Sequence, residues 1–326
     1  MTKVKFKKAD LEISPVIFGA WAIGGWMWGG ADRKDAIKAL RKSVDMGITT
    51  IDTAPVYGFG LSEEIIGEAL RNQRHDIQIL TKFGISWNRK EGHYYFTTTD
   101  NSGGKTDLHK LASKKRIIEE CEESLKRLGT DYIDLYQQHW PDPSTPVEET
   151  MEALNDLIAQ GKIKAAGVSN YDVSLLDTAG RYTRIVSNQV PYSMLRRDIE
   201  QELVPWCLHH QIDILAYSPL QRGILTGKFS PDHMFKEGDS RNDQPWYKKE
   251  NIIKVNSFLE KLKALAVTKN ATLTQLVLKW TLMQPGITAV LAGSRNPEQL
   301  SENAGTISLE LEQNDLEYIH NELSAL

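Results

Sequence analysis

Four side chains of the kinds that move protons lie at or just after the ends of short apolar segments. Asp52 and Lys82 each end such a segment, and His139 ends a third. Tyr57 follows Asp52 by five residues. Taken singly, each has an ordinary structural explanation as a turn, surface or core residue. If the segments are parallel strands whose carboxyl ends converge, however, the four side chains form a proton-donor site.

The chemistry of such a site is proton donation by a phenol near neutral pH. A free tyrosine has a pKa of about 10, which makes it a poor acid there. An ammonium group about 4 Å away contributes roughly 4 kcal/mol at an effective dielectric constant near 20, although burial of the phenol acts against it. We therefore expect Lys82 to acidify Tyr57 if Asp52 keeps the amine charged. His139 then orients a substrate oxygen or shares the proton.

The elements that must position these residues alternate between strand-like and helix-like patterns. Continuous apolar runs of strand length are separated by segments with apolar residues at helical spacing. This alternation predicts an α/β fold, a (β/α)8 TIM barrel, as a single domain over residues 1–326. An open doubly wound sheet is the alternative, because a count of strands does not show closure. The eight predicted strands are residues 16–19, 50–52, 77–82, 133–139, 165–168, 187–190, 214–217 and 288–291.

Helix boundaries are indicated by glycine, proline and acidic residues at the expected ends. Ser62, followed by two glutamates, is predicted to cap the second helix, because a hydroxyl accepts from unpaired amides at a helix start. The nine predicted helices are residues 32–46, 62–70, 114–128, 146–160, 172–180, 199–211, 251–269, 273–283 and 297–303.

Two connections are much longer than the others. Residues 84–113 follow the third predicted strand, and residues 218–250 follow the seventh. Loops beyond about 12–15 residues usually carry function, and in a barrel both would lie on the active-site face. At the N-terminus, residues 3–6 and 11–13 are expected to pair as a short hairpin.

Composition excludes several classes of protein. Among 326 residues there are 39 lysines and arginines against 43 acidic residues, a net charge of −4, which argues against binding to nucleic acid or an anionic membrane. Cys121 and Cys207 are too few for a disulfide framework and fit a reducing compartment. No secretory signal or apolar span is visible, so we expect a cytoplasmic protein. Histidine spacing predicts no metal site, and no G-x-G-x-x-G motif indicates a Rossmann turn.

Five segments in the same order support a resemblance to a known family. The sequence resembles the aldo-keto reductase superfamily of NADPH-dependent barrel oxidoreductases from residue 16 to about residue 303. Within the superfamily it is most similar to the bacterial branch that includes the general-stress reductases. The matching segments are residues 19–25 (GAWAIGG), 51–58 (IDTAPVYG), 131–139 (DYIDLYQQH), 167–171 (GVSNY) and 293–299 (GSRNPEQ).

The resemblance implies roles for the four side chains at the strand ends. Tyr57 corresponds to the general acid and Lys82 to the group that lowers its pKa. Asp52 corresponds to the residue that orients Lys82, and His139 to the one that orients the substrate. The implied reaction is hydride transfer from a nicotinamide, which reduces aldehydes or ketones to alcohols; it is reversible, so a sugar or polyol dehydrogenase is also an expectation.

The resemblance also assigns residues to each part of an NADP(H) molecule. These are Gly19, Ala20 and Trp21 after the first strand; Ser169, Asn170 and Gln189 at the carboxamide; Tyr217 against the nicotinamide ring; Ser218, Pro219, Leu220, Gln221, Arg222, Gly223 and Lys228 near the pyrophosphate; Gly293, Ser294 and Arg295 at the 2′-phosphate; and Gln299, Glu302 and Asn303 at the adenine.

Two positions depart from the family pattern at the phosphate end. Gly293 stands where many members have a lysine, and Gln299 stands where many have an arginine. Arg295 compensates, because a guanidinium binds phosphate bidentately and the helix that starts near residue 297 adds amide donors. We therefore expect NADP(H) in preference to NAD(H).

The substrate is expected to be a small carbonyl compound or sugar, held between the aromatic side chains Trp26, Trp28, Trp87 and Trp140. The protein is expected to act as a monomer. Two other functions remain open from the sequence. One is a redox-sensing regulatory protein that binds NADP(H) and turns over slowly. The other is a barrel hydrolase that uses Asp52 and His139 with a metal ion.

Overall fold

Eight parallel strands close into a barrel in the computed structural model, which describes residues 3–326. The last strand pairs with the first, with Val290 opposite Val16 and Gly293 opposite Gly19. The barrel prediction is confirmed, and the open sheet is wrong because every barrel strand has two neighbours. The barrel strands are β3 to β5 and β9 to β13 of the series β1 (Val4–Lys5), β2 (Glu12–Ile13), β3 (Val16–Gly19), β4 (Thr50–Asp52), β5 (Gln78–Phe83), β6 (Ile85–Ser86), β7 (His93–Thr99), β8 (Lys105–Lys110), β9 (Ile133–Gln138), β10 (Ile163–Ser169), β11 (Ile185–Pro191), β12 (Asp213–Tyr217) and β13 (Ile287–Gly293).

Helices surround the barrel and agree with the predicted ones to within a few residues. The start of α6 differs most, because residues 198–200 form a separate 3₁₀ turn before it. No prediction covered the chain after residue 303, where α10 forms and packs against α7. The helices are α1 (Arg33–Asp45), α2 (Leu61–Leu70), α3 (Lys114–Leu128), α4 (Val147–Ala159), α5 (Val173–Gly180), α6 (Leu203–His209), α7 (Lys249–Thr268), α8 (Leu273–Leu282), α9 (Pro297–Ala304) and α10 (Gln313–Ser324).

The interior of the barrel is filled in layers by alternate residues of the strands. Leu80, Leu135 and Leu215 lie in a buried apolar cluster with side chains of the N-terminal hairpin, including Phe6. The predicted hairpin, β1 with β2, is present. Because side chains on one face of a strand recur every second residue, the next inward residue of β5 is Lys82. The apolar layers therefore fill only part of the interior, and polar side chains occupy it at the carboxyl ends of the strands.

Both long connections lie at the carboxyl ends of barrel strands, as predicted. Residues 84–113 are not an open loop, because half of them form a three-stranded antiparallel sheet in the order β6-β8-β7. The aromatic and β-branched run of β7, from Tyr94 to Thr99, has high strand propensity. The connection after β12 contains short 3₁₀ turns at Gln221–Thr226 and Pro245–Tyr247.

Ser62 does not cap α2, contrary to the prediction. The helix begins at Leu61 after Gly60, whose φ of 99° suits glycine. The Ser62 hydroxyl instead donates to the carbonyl oxygen of Ala20 at 3.0 Å and is bonded to the Thr53 hydroxyl at 2.9 Å. Ser62 therefore ties the loop after β3 to the loop after β4.

The same two loops meet at a backbone contact that leaves no room for a side chain. A Cβ on Gly24 would lie 2.6 Å from the carbonyl oxygen of Tyr57 and 2.8 Å from its carbonyl carbon. Gly58, with φ 67°, approaches the Gly24 backbone from the other side. The position of Tyr57 therefore depends on this contact between backbones.

We predict that Gly24→Ala lowers the free energy of unfolding by about 1–3 kcal/mol, because backbone atoms must move to admit the methyl group. Urea denaturation followed by circular dichroism measures the effect. Gly180→Ala is the matched control, since a Cβ there meets nothing within 4 Å, and it is expected to leave stability unchanged or slightly higher. Equal stability of the two variants would contradict the proposed contact.

Candidate active site

A cavity of about 540 Å³ opens at the carboxyl ends of the barrel strands. Its volume lies within the range of small-molecule and cofactor sites, about 300–1,000 Å³. Residues from both long connections and from the ends of β3, β10, β12 and β13 contribute to its wall. The cavity therefore occupies the face where a barrel brings its strand ends together.

A buried ion pair lies at the base of this cavity. Lys82 has no exposed surface, and its Nζ donates to Asp52 Oδ1 at 2.6 Å and to the carbonyl oxygen of Thr53 at 2.9 Å. The same Nζ lies 3.4 Å from the hydroxyl oxygen of Tyr57. Three of the four predicted residues therefore form one hydrogen-bonded group.

The Tyr57 phenol is held in its protonated form. Burial raises the pKa of Tyr57 well above its usual value because it disfavours the phenolate, and the charge of Asp52 acts in the same direction. Desolvation of the phenol therefore acts against the expected acidifying effect of Lys82, which stays a prediction. A protonated phenol is nevertheless the state that a proton donor requires.

His139 is the fourth member of the group and is kept neutral. Its ring lies perpendicular to that of Tyr57, with 5.6 Å between the centroids. Burial lowers the pKa of His139 well below its usual value, and the charge of Lys82 adds to this effect. A neutral imidazole keeps one N–H donor that can bind an oxygen in the cavity.

The three polar residues assigned to a carboxamide lie together beside His139, and the protein already uses much of their hydrogen-bonding capacity. Asn170 donates through Nδ2 to the carbonyl oxygen of His139 at 3.1 Å and accepts from the Tyr217 hydroxyl at 2.9 Å. Ser169 donates to the carbonyl oxygen of Gln189 at 2.7 Å. Gln189 donates through Nε2 to Asp52 Oδ2 at 2.7 Å. These contacts link the polar trio to the buried ion pair.

Several cationic side chains also line the cavity. Arg222 has the left-handed φ of 56°, lies over the Trp21 ring at 5.3 Å and donates to the Ser240 hydroxyl. Burial lowers the pKa of Arg295, and the nearby charge of Arg241 lowers it further. Lys228 is more exposed and pairs with Glu302.

Arg241 lines the cavity but received no role from the sequence. Its guanidinium donates to the Asp239 carboxylate at 2.9 and 2.6 Å and lies 4.9 Å from the centre of the Trp28 ring. The sequence placed Arg241 only inside a long loop, and no local spacing indicates that the loop folds back to the barrel mouth.

Three residues with predicted roles, besides Lys82, do not line the cavity. Gln221 accepts a hydrogen bond from Ser193 through its side-chain oxygen. Ser294 is 1% exposed, and its hydroxyl accepts from Asn303 at 2.9 Å. Trp87 packs edge-on against Phe59, with ring centroids 5.7 Å apart. Trp87 therefore lies outside the lining of this cavity, and the side chains of Gln221 and Ser294 are engaged within the protein. The other predicted residues all line the cavity except Lys82, which lies beneath Tyr57.

The aromatic part of the cavity includes residues that the sequence did not assign. Trp26, Trp28 and Trp140 line it as expected, but so do Tyr95 and Phe96 of β7. The only sequence signal for this role was the occurrence of consecutive aromatic residues in a long connection. The inserted sheet therefore forms part of the cavity wall.

Within residues 3–326, no three or more His, Cys, Asp or Glu side chains are arranged so that they could hold a metal ion. Over the same residues, none of the helices has the length and apolar character needed to cross a membrane.

The chain matches the model of the aldo/keto reductase family over residues 15–323. It is 41% identical to "Aldo-keto reductase YhdN" of Bacillus subtilis over 293 residues, which cover 89% of this chain and 84% of that protein. It is 37% identical to the "NADH-specific methylglyoxal reductase" of Escherichia coli, with 97% and 96% covered.

Two solved structures show the same architecture. A glycerol dehydrogenase, AKR11B4 from Gluconobacter oxydans, aligns with a TM-score of 0.89 and 33% identity over 99% of this chain and 95% of that one. An aldo/keto reductase from Klebsiella pneumoniae in complex with NADP and acetate aligns with a TM-score of 0.73 and 26% identity, with 98% and 94% covered. The chain is therefore an NAD(P)-dependent oxidoreductase of carbonyl compounds and belongs to the aldo/keto reductase family.

We predict that Lys82→Met lowers the free energy of unfolding by about 3–5 kcal/mol, because it leaves the Asp52 carboxylate buried without its cation. The double variant Asp52→Asn/Lys82→Met is expected to recover part of this loss. Equilibrium urea denaturation measures both. The exposed Lys38→Met change removes a surface pair and is expected to cost at most about 1 kcal/mol. Similar stability of Lys82→Met and Lys38→Met would show that the buried pair has no such role.

Proposed function

We propose that this protein reduces aldehydes or ketones to alcohols with NADP(H), that the reaction is reversible, and that Tyr57 is the proton donor. The single observation that carries the proposal is the Tyr57 hydroxyl, 3.4 Å from a fully buried ammonium at the base of the cavity. A sugar or polyol is a substrate of the reverse reaction under this proposal. The glycerol dehydrogenase among the similar structures is consistent with that direction.

The residues around the cavity fit a nicotinamide dinucleotide. When bound, that cofactor supplies the hydride. The indole nitrogens of Trp21 and Trp28 are buried and have no hydrogen-bond acceptor within residues 3–326, so the site holds donors that a ligand can satisfy. The residues proposed to hold the cofactor are Gly19, Ala20, Trp21, Ser169, Asn170, Gln189, Tyr217, Ser218, Pro219, Leu220, Arg222, Gly223, Lys228, Gly293, Arg295, Gln299, Glu302 and Asn303.

Proton transfer by this group follows from its charges. The protonated Tyr57 hydroxyl and the neutral His139 ring both donate hydrogen bonds to the substrate carbonyl oxygen. As that oxygen gains negative charge, Tyr57 gives up its proton to it, and Lys82 stabilises the phenolate that forms. Asp52 holds Lys82 in place throughout. In the reverse direction, the phenolate takes the proton of the alcohol.

The preference for NADP(H) over NAD(H) rests on the guanidinium groups of Arg295 and Arg241, which both line the cavity. Burial lowers the pKa of Arg295 and the charge of Arg241 lowers it further, and a phosphate dianion beside Arg295 would offset both effects. The Klebsiella pneumoniae structure contains NADP, whereas the Escherichia coli relative is named as NADH-specific. Arg241 lines the same cavity as Gly293, and its guanidinium is paired with the Asp239 carboxylate.

We propose that the protein acts as a monomer in the cytoplasm. Tyr57, Lys82, Asp52 and His139 all come from one chain, so catalysis requires no second copy. Cys121 and Cys207 are both buried free thiols, as is usual for a reducing compartment.

We predict that Tyr57→Phe lowers kcat for NADPH oxidation with a generic aldehyde by about 10²–10⁴-fold, because it removes the proton donor. Absorbance at the NADPH band measures turnover. Tyr95→Phe is the matched control, since it removes a hydroxyl from the same cavity outside the Asp52–Lys82 network, and it is expected to keep kcat within about threefold. Normal turnover by Tyr57→Phe would eliminate the assigned role.

We predict that Arg295→Gln weakens NADPH binding by about 10–100-fold, because a charged hydrogen bond to phosphate contributes roughly 1.5–3 kcal/mol. The affinity for NADH, which lacks that phosphate, is expected to change by less than about threefold. Titration calorimetry with both cofactors measures the difference. Arg181→Gln, which removes a surface arginine of the Asp177 pair, is the control. An equal loss for NADPH and NADH would place the 2′-phosphate elsewhere.

A further inference from the structure

One peptide group at the end of β5 connects two of the four residues at the base of the cavity. The peptide between Phe83 and Gly84 follows directly after Lys82, and its carbonyl oxygen accepts from the backbone amide of His139 at 2.9 Å. Its N–H donates to Oε2 of Glu120, a residue of α3, at 2.7 Å. A side chain of a surrounding helix therefore holds the peptide that links β5 to His139.

The backbone at Gly84 also anchors the inserted sheet. Gly84 has a φ of 89°, a conformation that glycine adopts without strain. Its own carbonyl oxygen accepts from the backbone amide of Leu111, the residue that follows β8. A displacement of Gly84 would therefore be transmitted both to the residues at the base of the cavity and to its wall.

Glu120 is a buried carboxylate with both oxygens in use. It is 1% exposed, and its Oε1 accepts from Nε of Arg116 at 3.1 Å. The other two nitrogens of Arg116 donate to Glu123 at 3.0 and 3.2 Å. Glu120 thus joins an ion-pair network on one side and a backbone amide of the barrel on the other.

The surroundings of Glu120 make its carboxyl group titrate near neutral pH. Burial raises the pKa of Glu120 to about 7, and the charge of Glu123 acts in the same direction, whereas Arg116 and the amide of Gly84 oppose it. The phenol of Tyr136 on β9 is also buried beside this network and stays protonated, because burial raises its pKa well above the usual value.

We propose that Glu120 is a positioning residue for the carbonyl reduction: as a carboxylate it fixes the Phe83–Gly84 peptide, which in turn sets the positions of Lys82 and His139. This inference rests on the proposed function, because that function gives Lys82 and His139 their roles. Glu120 does not line the cavity and acts only through the backbone.

A neutral group at residue 120 cannot do the same. Each oxygen of Glu120 faces an N–H donor, so both positions must accept a hydrogen bond. A protonated carboxyl group, or the amide of a glutamine, carries hydrogen at one of the two positions. Arg116 retains the better acceptor because its donor is charged. The position that carries hydrogen then faces the N–H of Gly84, and the peptide loses its partner.

The test is the single-turnover rate of NADPH oxidation with excess para-nitrobenzaldehyde, measured by stopped-flow absorbance. At about pH 8, Glu120→Gln is expected to react about 10–100-fold more slowly than the native protein, because misplacement by about 1 Å can cost 10²-fold in rate. Its affinity for NADPH, measured by titration calorimetry, is expected to stay within about threefold, since none of the residues proposed to hold the cofactor lies on β5 or β9.

Glu122→Gln is the matched control and is expected to keep the native rate. It makes the same change on the same helix, but at an exposed side chain that pairs with Lys162.

The native protein alone supplies a second measurement, which does not depend on the folding of a variant. Tyr57 stays protonated and His139 stays neutral near pH 7, because burial shifts the pKa of each away from this range. The native single-turnover rate is expected to fall by about tenfold as the pH is lowered through about 7, where Glu120 gains its proton. Glu120→Gln is expected to show no such step and to keep the lower rate throughout.

A native rate in Glu120→Gln would overturn the inference. Equal losses of rate and of NADPH affinity would overturn it as well, because they would indicate a general loss of structure. A native rate that does not change across this pH range, or a step that persists in Glu120→Gln, would have the same consequence. If the native protein does not oxidise NADPH with the aldehyde, the proposed function fails and this inference fails with it, whereas native turnover that Glu120→Gln leaves unchanged removes only the inference.

Discussion

The ion pair between Lys82 and Asp52 is the interaction on which the rest of the site depends. Its charges are almost wholly removed from water, with side-chain exposures of 0% and 2%, and transferring such charges from water is costly. The cost is offset only because other groups complete the hydrogen bonding of both ions. The carbonyl oxygen of Thr53 accepts from the amine, and two glutamine amides donate to the carboxylate. The barrel interior is arranged around this requirement.

That arrangement explains why the chemistry is confined to one end of the barrel. Leucine side chains and the N-terminal hairpin fill the other end, so the ion pair has low-dielectric surroundings below it. The inserted sheet after β5 and the long connection after β12 form the walls above it. Electrostatic effects are therefore strong inside the cavity, where a charge developing on a ligand meets fixed dipoles and few competing waters.

The sequence predicted those features that depend on local pattern. The strands and helices were found because apolar runs and helical spacing are local, and the convergence of Asp52, Lys82 and His139 follows once parallel strands are assumed. No sequence pattern indicated that Gln137 contacts Asp52, since a single polar residue within a strand looks the same in the sequence whether it faces the interior or the helices. Arg241 and Trp87 were missed or misplaced because long connections fold by contacts distant in sequence. The protonation of Tyr57 depends on burial, which spacing alone does not reveal.

Burial shifts the pKa values of the two uncharged donors at the base of the cavity in opposite directions. It raises the pKa of Tyr57, an acid whose ionised form is negative, and lowers the pKa of His139, whose protonated form is positive. The result is a phenol and an imidazole that both remain neutral beside a charged amine. Such a site can hydrogen-bond a neutral carbonyl oxygen without first exchanging a proton. The amine then acts only when negative charge appears on the phenol oxygen, which is the point in the reaction where stabilisation lowers the barrier.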